Sequence, residues 1–106
     1  MDIQKRRARL IASCIIFVVI SIPLILRVVP PNGVYGFRNH ATLSSAAIWY
    51  PANAFAGWAL VVAAVISGGL LFRLPPAAAR WLVWAAFLVP LFAAYAASVI
   101  YVNRFY

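Results

Sequence analysis

Few residues of this chain could take part in acid–base, nucleophilic or metal-dependent chemistry. Its 106 residues include one acidic residue, Asp2, one histidine, His40, and one cysteine, Cys14. General acid–base catalysis, metal ligation and proton-coupled transport each need several such groups close together. Cys14 lies in an apolar run, where a thiol behaves as a small apolar side chain, and His40 is expected to contact a loop or lipid headgroups. The composition therefore predicts a protein that is not an enzyme and binds no cofactor or metal ion.

The polar and aromatic groups best suited to recognition are concentrated in one segment, residues 30–58. Trp49, Asn53 and Gly57 are spaced by four residues, so a helix would place an indole, an amide and a small gap along one face. Because an unpaired amide is costly in lipid, Asn53 is predicted to face backbone groups or Arg38. Arg38 could hydrogen-bond loop carbonyls, or lie over Trp49 or Tyr35 as a cation–π pair. The candidate residues for binding a partner or fixing the loop are Asn32, Tyr35, Gly36, Phe37, Arg38, Trp49, Asn53 and Gly57.

The rest of the chain is apolar enough to form membrane-spanning helices, which would place this segment at the membrane surface. Hydrophobic residues make up 67% of the sequence and charged residues 9%, whereas soluble domains are about 45–50% apolar. Three apolar runs, 10–29, 55–72 and 81–102, are each close to the roughly 20 residues that a membrane-spanning helix needs. The predicted fold class is an all-α integral membrane protein with three transmembrane helices and a structured loop between the first two.

A single membrane domain over residues 1–106 is predicted, with the polar segment forming one long loop. Thr42 is the predicted N-cap of a short helix in that loop, although Ser45 stands where a capping box has Glu. Pro51 is expected to bend or interrupt this helix before the second crossing, and Gly33, in a turn, is free to take a positive φ. Whether the short helix lies along the membrane or dips into it is left open. The predicted segments are a basic cytoplasmic tail (1–9), a first crossing (10–29), an outer loop (30–54, short helix about 42–50), a second crossing (55–72), a cytoplasmic turn (73–80), a third crossing (81–102) and an outer tail (103–106).

The basic residues are distributed unequally between the two predicted sides of the membrane. Six lie on the side of the N-terminus and three, Arg27, Arg38 and Arg104, on the other. The positive-inside rule therefore predicts a bacterial inner-membrane protein with a cytoplasmic N-terminus and the long loop on the outer face. The net charge of +8 is expected to contact anionic membrane lipids, and no nucleic-acid partner is predicted.

Small residues recur along one face of the second predicted crossing, at Ala52, Ala56, Ala59, Ala63 and Ser67. Helices in lipid associate closely where such residues meet. This stripe is interpreted as packing within the bundle, with contact to another membrane protein as the alternative.

Two stretches of the loop, "PPNGVYGFR" and "TLSSAAIWYPANAFAG", resemble the signature of the SdpI/YfhL family of small bacterial membrane proteins. The resemblance implies a three-helix membrane module whose best-known member confers immunity to a secreted toxin and holds a repressor at the membrane. The matching positions are Asn32, Tyr35, Gly36, Phe37, Arg38, Thr42, Leu43, Trp49, Asn53 and Gly57. The chain departs from the family's usual pattern at Asn39, His40, Ala46, Ala47 and Pro51.

The leading functional hypothesis is a non-enzymatic membrane protein with an immunity-like role. It would bind a toxin, a lipid or another membrane protein through its outer loop, and it could do so as a homo-oligomer. The alternative is an accessory or assembly subunit of a larger respiratory, photosynthetic or transport complex. A transporter or channel is disfavoured because the predicted crossings offer few hydroxyls for a polar lining, at Ser13, Ser21, Ser67 and Ser98.

Overall fold

The computed structural model describes the backbone of residues 2–105 and the side chains of residues 5–104. These residues form helices and no strand, which confirms the all-α fold class. The helices, in chain order, are α1 (Asp2–Ile25), α2 (His40–Ser44), α3 (Ala46–Arg73) and α4 (Arg80–Phe105). Met1 and Tyr106, at the ends of the predicted tails, lie outside the described residues, as does the side chain of Asp2.

Three of the helices are long and apolar enough to cross a membrane, which confirms the prediction of three transmembrane helices. The candidate spans are Lys5–Ile25, Ala46–Arg73 and Arg80–Arg104. Residues 5–9, predicted as part of a basic tail, therefore continue the first helix.

Helix α3 lies between the other two long helices. Both α1 and α4 pack along it, and they make few contacts with each other. Where α1 and α4 do meet, the rings of Phe17 and Phe87 stack with centroids 6.3 Å apart. This contact belongs to an apolar cluster that also includes Cys14, Ala64 and Leu71.

Small residues of α3 allow its two neighbours to approach closely. A Cβ added to Gly57 would lie 3.1 Å from the carbonyl oxygen of Ser21 and 2.9 Å from Cγ1 of Ile25, both in α1. The hydroxyl of Ser67 donates a 3.0 Å hydrogen bond to the carbonyl of Phe87 in α4. Ala63 of the predicted stripe is also buried, so part of this stripe packs the bundle internally.

Helix α1 ends four residues earlier than predicted, at Ile25, because a left-handed residue stops it. Arg27 has φ 59°, its N–H donates to Leu24 (3.2 Å), and the N–H of Val28 donates to Pro23 (3.2 Å). These two bonds form a Schellman motif, which satisfies carbonyls at a helix end. Glycine is the usual residue at the left-handed position, so the sequence carried no signal for this stop.

The short helix is also shifted from its predicted place at about 42–50. It spans His40–Ser44, and its N-cap is Asn39 rather than Thr42. The amide of Thr42 donates to Asn39 Oδ1 (2.8 Å) and the amide of Asn39 donates to Thr42 Oγ1 (2.8 Å). Thr42 thus fills the place that Glu takes in an ordinary capping box, and this moves the helix start toward the N-terminus.

Pro51 does not interrupt the chain as predicted, since α3 runs without a break from Ala46 to Arg73. A proline leaves the carbonyl four residues before it without its helical partner. Here that carbonyl belongs to Ala47, which is exposed in the first turn of α3. Solvent or headgroups can satisfy a carbonyl there, so the proline is tolerated.

Helix α3 is longer than a bilayer core requires. Its 28 residues extend about 42 Å at a rise of about 1.5 Å per residue, whereas the hydrocarbon slab is about 30 Å thick. Counted from Arg73 as the opposite boundary, the first two turns of α3 extend beyond the hydrocarbon. We therefore expect Trp49 and Asn53 to lie at the level of the headgroups.

Candidate functional site

The candidate residues lie in or against the connecting segment, defined as residues 26–45 between α1 and α3. Asn32 folds the first part of it into a compact turn. Its Oδ1 accepts hydrogen bonds from the amides of Val34 (2.8 Å) and Tyr35 (2.6 Å), and its Nδ2 donates to the carbonyls of Pro30 (2.8 Å) and Tyr35 (3.0 Å). All the hydrogen-bonding capacity of this side chain is therefore used within the turn.

Two aromatic residues connect the turn to the outer helices. The hydroxyl of Tyr35 donates to the carbonyl of Ile20 in α1. The ring of Phe37 meets Tyr95 of α4 edge to face, with centroids 6.2 Å apart and planes at 78°. The segment thereby bridges α1 and α4, which make few direct contacts with each other.

Asn53 connects the same turn to the central helix. Its side chain is 2% exposed. Its Oδ1 accepts from the amide of Phe37 (2.5 Å), and its Nδ2 donates to the carbonyls of Phe37 (3.2 Å) and Trp49 (3.0 Å). One carboxamide thus pairs both backbone groups of Phe37, and the amide faces backbone as its desolvation cost requires.

Trp49 and Gly36 form the close contact between the segment and α3. Trp49 is fully buried, and its Nε1 donates to the carbonyl of Val29 (2.8 Å). Gly36 has φ 110°, and a Cβ there would lie 2.7 Å from Asn53 Oδ1 and 3.2 Å from the Trp49 ring. Glycine is needed here both for conformation and for space. The positive φ expected at Gly33 therefore occurs three residues later.

Arg38 differs from the other candidate residues because its side chain is exposed. Its Nη1 donates to the carbonyl of Gly33, so of the two alternatives considered for it, the loop-carbonyl contact is the one formed. A guanidinium has further N–H donors, and this is the one protein hydrogen bond that it makes within residues 5–104. The chain's single acidic residue is Asp2, so no described side chain offers a carboxylate to Arg38.

The structure therefore brings the candidate residues together in two ways. Asn32, Tyr35, Phe37 and Asn53 hold the segment by direct bonds or ring contacts, and Trp49 and Gly36 pack it against α3. Gly57 lies one turn further along α3, where α1 approaches. What this arrangement offers chemically is an exposed guanidinium on a segment whose backbone is hydrogen-bonded in place. Nothing in residues 5–104 gathers three or more His, Cys, Asp or Glu side chains into a metal site.

Arg7, at the opposite end of the bundle, is a residue that sequence reasoning missed. Its side chain is 7% exposed, and it donates from Nη1 to the carbonyl of Leu74 (2.5 Å) and from Nη2 to that of Pro75 (2.9 Å). It thereby connects α1 to the turn between α3 and α4. The available signal was spacing, since Arg7, Leu10 and Cys14 follow the three-and-four repeat of a buried helix face.

The model of the SdpI/YfhL protein family matches residues 28–102, which cover the connecting segment from Val28, all of α3 and most of α4. No curated protein and no solved structure matches the chain.

Proposed function

The chain belongs to the SdpI/YfhL protein family, and from this premise we propose that it is a non-enzymatic binding protein of the bacterial inner membrane with an immunity-like role. In this proposal the N-terminus is cytoplasmic and the connecting segment faces outward. A partner, either a toxin, a lipid or another membrane protein, is engaged at the face that carries Arg38.

The observation that carries the proposal is the contrast between Arg38 and the residues around it. Asn32 and Asn53 use their amides to hold the segment's backbone, while the Arg38 guanidinium is exposed beside them. Because the backbone that carries this guanidinium is already held in place, binding a partner does not require the segment itself to become ordered. This combination supports recognition of an anionic or carbonyl-rich partner.

The distribution of charge supports the proposed orientation. Lys5, Arg6 and Arg9 at the start of α1 lie at the same end of the bundle as Arg73 and Arg80. The bonds from α1 to the α3–α4 turn bring these two groups together. Positively charged ends of this kind are retained on the cytoplasmic side.

Site-specific photo-crosslinking in cells tests the proposal. A photoreactive residue in place of Val34, which is 87% exposed and lines the same cleft as Arg38, should capture a defined partner, and one in place of Asn103, exposed near the end of α4, should not. Arg38→Ala should abolish the protection or signal that the protein gives its host, and Arg38→Lys should retain part of it because the charge remains. Arg104→Ala is the matched control for loss of an exposed arginine. If Arg38→Ala reduces the amount of folded protein in the membrane, or if positions 34 and 103 give the same products, the proposal is wrong.

A second candidate function, as an accessory or assembly subunit, is favoured by a groove on the α3–α4 pair. This groove of about 360 Å³ is lined by five alanines, including Ala59, Ala93 and Ala97, together with larger residues such as Phe55 and Trp58, and small residues allow close helix contact in lipid. Size analysis in a gentle detergent distinguishes the two functions. Stoichiometric co-purification with a much larger complex would favour the subunit, and a monomer or small oligomer would favour the binding protein.

A further inference from the structure

A cleft separates α1 from α4 beneath the connecting segment. Its volume is about 420 Å³, within the range of about 300–1,000 Å³ typical of small-molecule sites. Leu24 of α1, Leu60 of α3 and Leu91 of α4 line it, and residues 34–38 cover its upper end. The cleft exists because α1 and α4 both pack on α3 and make few contacts with each other.

The cleft occupies the part of the bundle nearest the connecting segment. Along α4 it extends from Leu91 to Ser98, which is about 10 Å at a rise of about 1.5 Å per residue. The Phe17–Phe87 contact precedes it along both helices and closes its inner end. At the rim, Tyr95 is 62% and Val34 87% exposed, so the cleft opens sideways toward the lipid.

Besides Tyr95, whose side chain is exposed at the rim, three polar side chains line this cleft, and two of them already donate hydrogen bonds within the protein. The hydroxyl of Tyr35 donates to Ile20, and the hydroxyl of Ser98 donates to the carbonyl of Ala94 (2.8 Å). The third is Arg38, whose single protein acceptor within residues 5–104 is a loop carbonyl. An apolar cleft therefore ends at one cationic group that still has donors available.

No side chain among residues 5–104 can supply a counter-charge for Arg38, so a bound anion would have to supply it. The sequence contains nine Lys and Arg and a single acid, and that acid, Asp2, begins α1 at the end of the bundle opposite the cleft. A guanidinium binds phosphate through parallel, charge-assisted hydrogen bonds. A ligand that is apolar over about 10 Å and ends in a phosphate would match the cleft and Arg38 together.

We propose that the cleft holds one acyl chain of an anionic phospholipid whose phosphate is bound by Arg38. The proposal rests on the proposed function, because it assigns an occupant to the same exposed guanidinium. The lipid enters sideways between Tyr95 and Val34, and the part of its chain nearest the headgroup lies between α1 and α4.

Native mass spectrometry of the purified chain in a mild detergent tests this proposal. The probes are dioleoyl phosphatidylglycerol and dioleoyl phosphatidylcholine at equal concentration, which share their acyl chains and differ in net charge. The wild type should retain one phosphatidylglycerol per chain in preference to phosphatidylcholine. Arg38→Ala should reduce that preference by about fivefold, the effect of one basic residue near an anionic headgroup, and Arg38→Lys should retain most of it.

A pair of variants on α1 tests the position of the acyl chain. Ile20 lines the cleft and is 37% exposed, so Ile20→Trp should obstruct the cleft without burying the indole, and both lipids should be lost. Val19, 58% exposed, is not among the lining residues, so Val19→Trp should bind as the wild type does.

Several outcomes would overturn the proposal. Equal retention of the two lipids by the wild type would exclude the proposed preference for a net anionic headgroup, and normal retention by Ile20→Trp would exclude the cleft. Displacement of the lipid by soluble glycerol phosphate would show a site for free anions. If no lipid is retained while position 34 crosslinks to a protein in cells, the lipid assignment fails and the proposed function remains. If neither is seen, both fail.

Discussion

Replacing Asn53 by leucine should release the connecting segment from α3. The carboxamide is the partner of both backbone groups of Phe37, with bonds of 2.5 and 3.2 Å. Leaving a buried donor or acceptor without a partner costs about 1–3 kcal/mol. These bonds are partly buried, and water can hydrogen-bond the two Phe37 groups once the segment opens. The cost for each of these two groups is therefore taken from the lower end of that range. The expected cost is about 2 kcal/mol, a roughly 30-fold larger population of the open segment.

Amide hydrogen exchange in lipid nanodiscs measures this opening directly, because exchange follows the free energy of local opening. The amides of Val34, Tyr35 and Phe37 are hydrogen-bonded within the segment or to Asn53, and their exchange should accelerate by about 30-fold in Asn53→Leu. Amides in the middle of α4 should not change. Asn103→Leu is the matched control, since Asn103 is exposed in the last turns of α4. Unchanged exchange at Phe37 in Asn53→Leu would refute the view that this amide holds the segment.

Two further substitutions are expected to act at opposite ends of the bundle. Gly36→Ala should destabilise the segment by about 1–3 kcal/mol, because a positive φ is strained for alanine and the new Cβ would lie 2.7 Å from Asn53 Oδ1. Gly33→Ala is the control and should be close to neutral, because a Cβ at Gly33 would have nothing within 4 Å. Equal amide exchange rates in the two variants would contradict this reasoning. Arg7→Met should lower the thermal midpoint in detergent, because two carbonyls of the α3–α4 turn lose their donor. Arg9→Met, at an exposed position, should leave the thermal midpoint unchanged. If both variants lowered the midpoint equally, the loss of positive charge would explain the effect and the hydrogen bonds of Arg7 would not.

The sequence was sufficient to predict the three crossings, because the apolar runs match the thickness of a bilayer. It was also sufficient to predict that Asn53 faces backbone or Arg38, because a buried amide has to be paired, and backbone is the alternative that the structure shows. Both predictions follow from the free-energy cost of leaving apolar surface in water or a buried amide unpaired, and this cost does not depend on which residues are the neighbours. Contacts between distant residues, such as Tyr35 with Ile20 and Phe37 with Tyr95, depend on how the helices pack and had no local signal.

The errors at the helix ends have a different cause, since competing local signals had to be ranked. Thr42 and Asn39 are both good N-cap residues, and the reciprocal bonds between them decide for Asn39. Pro51 is an interruption signal in general, but it lies close enough to the start of α3 that the carbonyl it frees is exposed. The stop at Arg27 places an arginine where glycine is usual.

The position of α3 between the other two long helices has a consequence for how the protein is made. During translation α1 leaves the ribosome first, yet the face that it buries has no partner until α3 emerges. Asn53 is also part of α3, so the nascent chain can form the contact between the connecting segment and α3 before α4 has been synthesised. We therefore expect a chain truncated near residue 79 to show slowed exchange at Phe37 already, and we expect α4 to be added last to a pair of helices that lipid already surrounds.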